Sequence, residues 1–480
     1  MIKFSLDLTI KWLLLAIWTS LFIGGITNYT GSWMHYTVFS FVFLAMLISG
    51  LYRQVSYGYL FLVVMLWLGF WFKLTVHLLA AYPFGEPVGF FDGTPAAWDK
   101  VLLVATVGGL GVMVARLLFS FGGYPSTMKA QSRVFKAPVW YSAMRQWVWV
   151  ALMVSCIALA FFNASLGILQ IGLVPATILL WPLNAVFSWL IGYGFTLGIA
   201  TLIWWDIALG RNISSVVYFI LLEAFSSSVS ILSRGVYIFH AIPPFLGLYK
   251  NRASLSGWSR KNTVTVVLVF LVLFAISNPV VNQLRGEYYS NAPAWEWGEG
   301  GYKIGPELRS LLRFSVDRWI GAEGVMGVTA YPDKGNDLFM RALIERSEIG
   351  KSSIYQEICL SHYRFSDLKK FQFASLPGAV GFFYFTGHLW VVAVGMIFLV
   401  FVLLSSERFV FRLTSNPLLC ALWGGATANA VAQFGIAPRG LLLYFFELVC
   451  GVMAICFVQS EFFAKFLQRS NAFIKMKSQI

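Results

Sequence analysis

The charged residues of this chain most suited to chemistry lie in one short run, Arg313-Phe-Ser-Val-Asp-Arg-Trp-Ile-Gly-Ala-Glu-Gly324. Arg313 and Arg318 carry guanidinium groups, which offer paired hydrogen-bond donors and stay charged at any working pH. Such groups can bind a diphosphate and stabilise the negative charge that develops as the diphosphate departs. Asp317 and Glu323 add carboxylates that could accept a proton from an attacking hydroxyl. The run therefore predicts transfer of a group away from a diphosphate.

Two further arginines are expected on the same side of the membrane. Arg234 stands at the head of one span, and Arg439 precedes the last span. We expect Arg234, Arg313 and Arg439 to bind diphosphate, with Arg318 at the same interface. The alternative for each arginine alone is that it anchors a span end and pairs with lipid headgroups.

The sequence does not assign the proton acceptor. Asp317, Glu323 and His362 are the catalytic candidates, and His388 lies at the start of the following span. Asp317 stands one helical turn after Arg313, where an ion pair on one helix would account for it without catalysis. A single histidine in a loop, such as His362, is more often solvated than catalytic.

The elements that must position these residues lie in a membrane. Of the 480 residues, 58% are hydrophobic and only 12% are charged, which leaves too few polar residues to cover a soluble fold. The apolar runs are long and end in Lys, Arg, Trp and Tyr, whereas barrel strands would alternate apolar and polar residues. The composition predicts an all-α polytopic membrane protein with about 11 to 13 transmembrane helices.

The distribution of charge predicts which side each segment faces. Residues 282–387 hold 12 of the 21 acidic and 12 of the 35 basic residues, so the net charge of +14 arises elsewhere. Segments 122–145 and 248–261 and the C-terminal tail are basic without acids, which predicts a cytoplasmic location. Anionic lipid accounts for this charge, and no nucleic-acid partner is expected. The chain then divides into transmembrane helices over 1–281, one large helical extracytoplasmic loop over 282–387, and C-terminal helices with a cytoplasmic tail over 388–480.

Local patterns predict two helices in the loop and leave one apolar stretch open. We expect helices over 306–320, ended by Gly321 and Gly324, and over 337–348. The stretch 165–205 must cross the membrane an odd number of times, yet its length suits two short helices or one span plus a re-entrant segment.

Three ionisable residues within the spans indicate a polar interior. Lys73 and His77 lie one turn apart in the outer half of one span, and Glu223 lies near the middle of another. Because buried charges are costly in a membrane, such residues mark a functional or water-filled site by default.

Three features together resemble the bacterial O-antigen polymerases (Wzy) and the related O-antigen ligases. These are Ser233-Arg234-Gly235 at the head of a span, a long extracytoplasmic loop in the second half of the chain, and an arginine followed after ten residues by a glycine, Arg313 to Gly324. The resemblance covers the chain from about residue 213 onward. Ligases of this superfamily have a histidine in a His-Asn type motif near the end of the loop, and the surroundings of His362 and His388 depart from it.

This resemblance implies a glycosyltransferase of the bacterial inner membrane with its active site on the periplasmic face. The donor would be an oligosaccharide on undecaprenyl diphosphate, and the reaction would need neither a metal, a nucleotide sugar nor another cofactor. A polymerase would move the growing glycan onto another lipid-linked repeat unit, and a chain-length regulator protein is a possible partner. The alternatives are an O-antigen ligase and a flippase or transporter of lipid-linked oligosaccharide, although transporters usually show repeated halves and short loops.

Overall fold

The long apolar runs of the sequence form long helices in the structure, a computed structural model. It describes residues 2–52, 56–122, 137–288, 315–346, 348–434 and 438–466, with the backbone alone for residues 2–11, 254 and 439. The helices before the loop are α1 Ile2–Asn28, α2 Trp33–Tyr52, α3 Tyr57–Trp67, α4 Lys73–Ala80, α5 Pro95–Phe121, α6 Val139–Leu166, α7 Leu183–Trp189, α8 Phe195–Ala208, α9 Tyr218–Ser230, α10 Arg234–Lys250 and α11 Arg260–Tyr288. Those that follow are α12 Ala322–Ala330, α13 Asn336–Ile344, α14 Ile354–Ile358, α15 Gly378–Phe383, α16 Leu389–Thr414, α17 Pro417–Ala432 and α18 Pro438–Gln459.

Eight of these helical stretches are long and apolar enough to cross a membrane, and α9 and α17 are among the shorter apolar helices. The prediction of an all-α polytopic membrane protein is confirmed. Two of the eight stretches contain a π-helical turn, Leu68–Phe72 between α3 and α4 and Leu190–Gly194 between α7 and α8. A π-helical turn widens the helix locally and is frequent at functional sites.

The ambiguous stretch 165–205 contributes to one helical stretch that is long and apolar enough to cross a membrane. Residues 167–182 are irregular, and the single apolar stretch Leu183–Ala208 follows them. The irregular part lies beside the large loop, because Val174 N donates to Lys370 O at 3.0 Å and Gln372 N donates to Gly172 O at 3.0 Å. An odd number of crossings agrees with the direction that the basic segments predict.

Polar contacts at the helix ends away from the loop hold the bundle together. Near the ends predicted to be cytoplasmic, Arg145 and Asp206 form a two-bonded ion pair, Nε to Oδ1 and Nη2 to Oδ2, each at 2.7 Å. The buried Glu407 carboxylate accepts from the backbone N–H groups of Tyr57 at 3.0 Å and Gly58 at 2.6 Å, which satisfies free donors at the start of α3.

The described part of the loop shares an apolar core with the spans. Val325 and Met326 of α12 belong to the same buried cluster as Phe70 and Trp71 beside α4 and Val104 in α5. Every residue from 321 to 329 is buried. The loop therefore packs into one end of the helix bundle, the end predicted to be outer.

Two details of the loop differ from the prediction, and a third lies beyond the structure. Gly324 does not end a helix but lies inside α12. It packs so closely against Pro377 that a side chain there would collide with the Pro377 backbone. The second predicted helix is α13, which begins at Asn336 and ends at Ile344 rather than at residue 348. Residues 306–314 of the first predicted helix lie outside the described residues, and 316–318 form a turn.

Candidate functional site

A buried lysine at the start of α4 binds the loop. Lys73 Nζ donates to Asp317 O at 3.1 Å and to Trp319 O at 2.8 Å, and it lies 2.5 Å from Glu323 Oε1. The Lys73 side chain is 1% exposed and that of Glu323 is 4% exposed. The ammonium group thus donates to two backbone oxygens of the loop and forms an ion pair with a third loop residue, Glu323. Lys73 therefore fixes the segment that carries two of the predicted catalytic residues.

The next turn of α4 binds Asp317 itself. His77 Nε2 lies 2.9 Å from Asp317 Oδ1, and the Tyr82 hydroxyl donates to the same oxygen at 3.1 Å. Burial and the neighbouring carboxylate raise the pKa of Tyr82, so its hydroxyl stays protonated and donates. The predicted helix ion pair of Asp317 with Arg313 has no test here, because Arg313 lies outside the described residues.

Close backbone packing brings the loop to these side chains. Gly69, within the first π-helical turn, meets the backbone of Ile320 and Gly321, and a side chain at Gly69 or Gly321 would collide there. The wide turn thus makes room for the loop at Gly69. α4 begins directly after this turn, at Lys73. Asp317 and Glu323 are held on either side of this contact.

The resulting site is a carboxylate and a guanidinium at the outer end of the bundle. Asp317 is 8% exposed, and Arg318, the next residue, is exposed. Glu323 faces Lys73 and is buried with it, so its charge is matched inside the protein. Asp317 is therefore better placed than Glu323 to meet a substrate that approaches from outside.

Arg234 is placed by a sharp turn between α9 and α10. Leu232 has a left-handed backbone, with φ of 59°, and its carbonyl oxygen accepts from Arg285 Nε at 2.8 Å. Ser233 N donates to Ser228 O at 2.9 Å, and α10 begins at the next residue. The Nε and Nη1 atoms of Arg234 are buried. The Ser-Arg-Gly sequence thus fixes an arginine at the outer end of a span.

Convergence of the four arginines stays a prediction. Arg313 lies outside the described residues, as does the side chain of Arg439, whose backbone begins α18. The rings of His240 in α10 and Tyr444 in α18 each lie 5.5 Å from the ring of Tyr193. Because Arg234 and Arg439 stand five or six residues before those rings, α10 and α18 present both at a similar level.

The predicted loop histidines do not join the site through any described contact. His362 is exposed in a short 3₁₀ turn, and His388 is exposed just before α16. His362 is followed by Arg364, which pairs with Glu357 at 3.0 Å. The described contacts therefore give no reason to prefer His362 to Asp317 as the proton acceptor.

Two contacts that the fold creates were not predicted from the sequence. His77 was expected to be a polar residue in a span, but its contacts with Tyr82 and Asp317 were not expected. The signal for them in the sequence was a histidine in the outer half of a span and a carboxylate in the loop. The second is Glu223 with His240, whose Oε1 and Nδ1 atoms are 2.9 Å apart. A histidine two turns into the span after Glu223 was its only signal in the sequence.

No protein-family model matches this chain, and no curated protein or solved structure matches it significantly. The resemblance to O-antigen polymerases therefore rests on the short motifs and their order.

Proposed function

We propose that this protein is a glycan polymerase of the bacterial inner membrane, which transfers a growing oligosaccharide from undecaprenyl diphosphate onto a second lipid-linked repeat unit. The transfer needs a proton acceptor for the attacking hydroxyl and positive charge for the departing diphosphate. Both requirements are to be met at the outer end of the bundle, where a lipid-linked sugar exposes its reacting bond.

The single observation that carries this proposal is that a carboxylate and a guanidinium, Asp317 and Arg318, are adjacent on the turn that packs against the bundle. Lys73 and His77 hold the turn from the membrane side, while Arg318 is exposed. A carboxylate fixed beside an exposed guanidinium suits a reaction that needs both a proton acceptor and positive charge for a departing diphosphate.

Arg234 and Arg439 extend the proposed diphosphate site. They lie at the starts of α10 and α18, whose His240 and Tyr444 rings each lie beside the ring of Tyr193, and in this proposal both face the end of the bundle that the loop covers. Guanidinium groups from separate helices can bind different oxygens of one diphosphate. Arg313, four residues before Asp317, completes the set in this proposal.

The test uses cells whose polysaccharide depends on this protein. Arg318→Ala is expected to stop chain growth, so that single lipid-linked repeat units accumulate on the outer leaflet. The matched control is Arg341→Ala, which removes an exposed arginine from α13 in the same loop. Normal polymer length from Arg318→Ala at wild-type protein level would overturn the proposal.

A flippase of lipid-linked oligosaccharide is the second candidate, and the buried Glu223–His240 pair favours it. Glu223 is fully buried within α9, and ionisable pairs inside spans often mark a pathway for ions or substrates. Loss of flipping would accumulate repeat units on the inner leaflet instead of the outer one. The same cell experiment, read with a leaflet-specific lectin, therefore separates the two functions.

A further inference from the structure

Both ring nitrogens of His77 face oxygen atoms. Nδ1 lies 3.0 Å from the carbonyl oxygen of Tyr82, and Nε2 lies 2.9 Å from Asp317 Oδ1. A carbonyl oxygen can only accept a hydrogen bond, so Nδ1 must carry a proton. A neutral ring would then present a bare nitrogen to a carboxylate oxygen, and two acceptors would face each other. A proton on each nitrogen removes this conflict.

The rings around His77 also favour a positive charge. The imidazole lies between the rings of Tyr82 and Phe84, with centroids 3.9 Å and 4.0 Å away and interplanar angles of 23° and 15°. The face of an aromatic ring carries partial negative charge, which attracts a cation placed over it. A protonated imidazole between two such faces is therefore stabilised from both sides.

The other charges nearby balance one another. The ionisable groups around His77 are Lys73 on its own helix, Tyr82, Asp317 on the facing turn, and Glu323 in α12. Lys73 and Glu323 form a pair at 2.5 Å. Among the described residues, this leaves the Asp317 carboxylate as the charge that His77 faces.

We propose that His77 is a doubly protonated positioning residue, whose imidazolium holds the Asp317 carboxylate ionised and oriented to accept the proton of the attacking sugar hydroxyl. Oδ1 of Asp317 accepts from both His77 and Tyr82. Oδ2 has no hydrogen bond within the described part of the chain and is the oxygen that takes the proton. The catalytic half of this inference rests on the proposed polymerase function, whereas the protonation state of His77 does not.

The proposed step balances in atoms and charge. The hydroxyl oxygen of the acceptor sugar bonds to the anomeric carbon of the donor as the bond from that carbon to the diphosphate oxygen breaks. The hydroxyl proton passes to Asp317 Oδ2, and the electron pair of the broken bond leaves with the diphosphate. Asp317 then releases the proton to water, and His77 keeps both of its protons throughout.

The protonation state is measured directly by ¹⁵N NMR of the full-length protein in lipid nanodiscs, labelled at its histidines. The chain has five histidines, and the signal lost in His77→Gln identifies the one of interest. We expect both nitrogens of His77 to be protonated at neutral pH. A single protonated nitrogen would overturn the inference, because the bridging proton would then belong to Asp317.

The positioning role is measured through the pH dependence of glycan transfer. Glutamine can still donate a hydrogen bond but carries no charge, so His77→Gln should lower kcat by about tenfold or more with little change in KM. Removing a cation from beside a carboxylate lets that carboxylate take up a proton at higher pH. The acidic limb of the kcat/KM profile should therefore move to higher pH.

The matched control is His35→Gln. His35 Nδ1 also faces a carboxylate, Asp99 Oδ2 at 3.5 Å, but its side chain is 45% exposed and it lies outside the proposed site. Both the rate and the profile of this control should match the wild type. An unmoved limb in His77→Gln would refute the positioning role even if the rate fell, since a purely structural defect lowers the rate at every pH.

The outcomes separate the inference from the proposed function. A doubly protonated His77 in a wild-type protein that forms no polymer would refute the polymerase and leave the protonation assignment standing. A neutral His77 in an active polymerase would refute the inference and leave the function standing.

Discussion

At the scale of single residues, the site depends on charges that are buried in matched pairs. Lys73 and Glu323 each have 4% or less of their side chain exposed, at the outer end of a span. Taking two charges out of water is costly, and the attraction between them repays this only when both are present. The pair is therefore sensitive to loss of one member.

Stability measurements should show this coupling as a change in the sign of the effect of Glu323→Gln on the free energy of unfolding. Lys73→Met leaves a buried carboxylate without its partner and should lower the free energy of unfolding by about 3–5 kcal/mol. Glu323→Gln should destabilise the wild-type protein but stabilise Lys73→Met, because it removes the orphaned charge. Thermal unfolding of the four proteins in one detergent measures both effects; Glu323→Gln acting in the same direction in both backgrounds would contradict the pairing.

The sequence predicted the types of these residues but not their partners. Lys73 and His77 were expected to mark a polar site because charges are rare in spans, and the structure gives both a partner in the loop. Those partners lie 240 or more positions away along the chain, and no local pattern links residues at that distance. Sequence motifs singled out the arginines but did not show where they lie in space, so their convergence remains a prediction.

At the scale of elements, the loop reaches the site through glycines that allow backbones to touch. The π-helical turn at Leu68–Phe72 and Gly69 receive Ile320 and Gly321, while Gly324 packs against Pro377. The glycine of the arginine-to-glycine motif thus has a packing role. Spacing alone predicted a helix end at Gly324, because glycine is common at ends and the neighbouring Pro377 could not be foreseen.

Replacement of Gly324 should therefore disturb the site without altering any charge. The methyl group of Gly324→Ala would collide with the Pro377 backbone, so α12 must shift and carry Glu323 away from Lys73. We expect a lower melting temperature and a loss of transfer of about tenfold or more, since small misplacements of reacting groups are costly. Gly335→Ala, in the same loop with open space around it and extended backbone, is the control. Equal behaviour of the two variants would contradict this packing account.

At the scale of the whole molecule, the balance of charge predicts which face is outside. Hydropathy predicted a polytopic all-α membrane protein correctly, because length and composition decide this without knowledge of neighbours. It predicted about 11 to 13 spans, whereas eight helical stretches of the described chain are long and apolar enough to cross a membrane and three apolar helices are shorter. The stretch 165–205 was harder, since its irregular half is apolar but lies beside the loop, where Val174 N donates to Lys370 O and Gln372 N donates to Gly172 O. Only the three-dimensional contacts show that this half lies against the loop.

Sidedness can be measured with single cysteines and a membrane-impermeant maleimide. Lys351→Cys, in the loop, should react in intact cells, because its side chain is 72% exposed on the outer side. Arg260→Cys, exposed at the start of α11, should react only after the membrane is opened. The unsubstituted chain, with its five native cysteines, is the blank. Labelling of Arg260→Cys in intact cells would reverse the topology and remove the site from the outer face.

The most direct measurement is glycan transfer by the purified protein in nanodiscs, given one defined oligosaccharide on undecaprenyl diphosphate and followed by sizing of the products. The wild-type protein and Asp333→Asn, which changes an exposed acid elsewhere in the loop, should both build a ladder of longer glycans. Asp317→Asn should reduce the rate by about a hundredfold or more while folding normally, because it removes the proton acceptor. A full ladder from Asp317→Asn, or none from the wild type, would contradict the account.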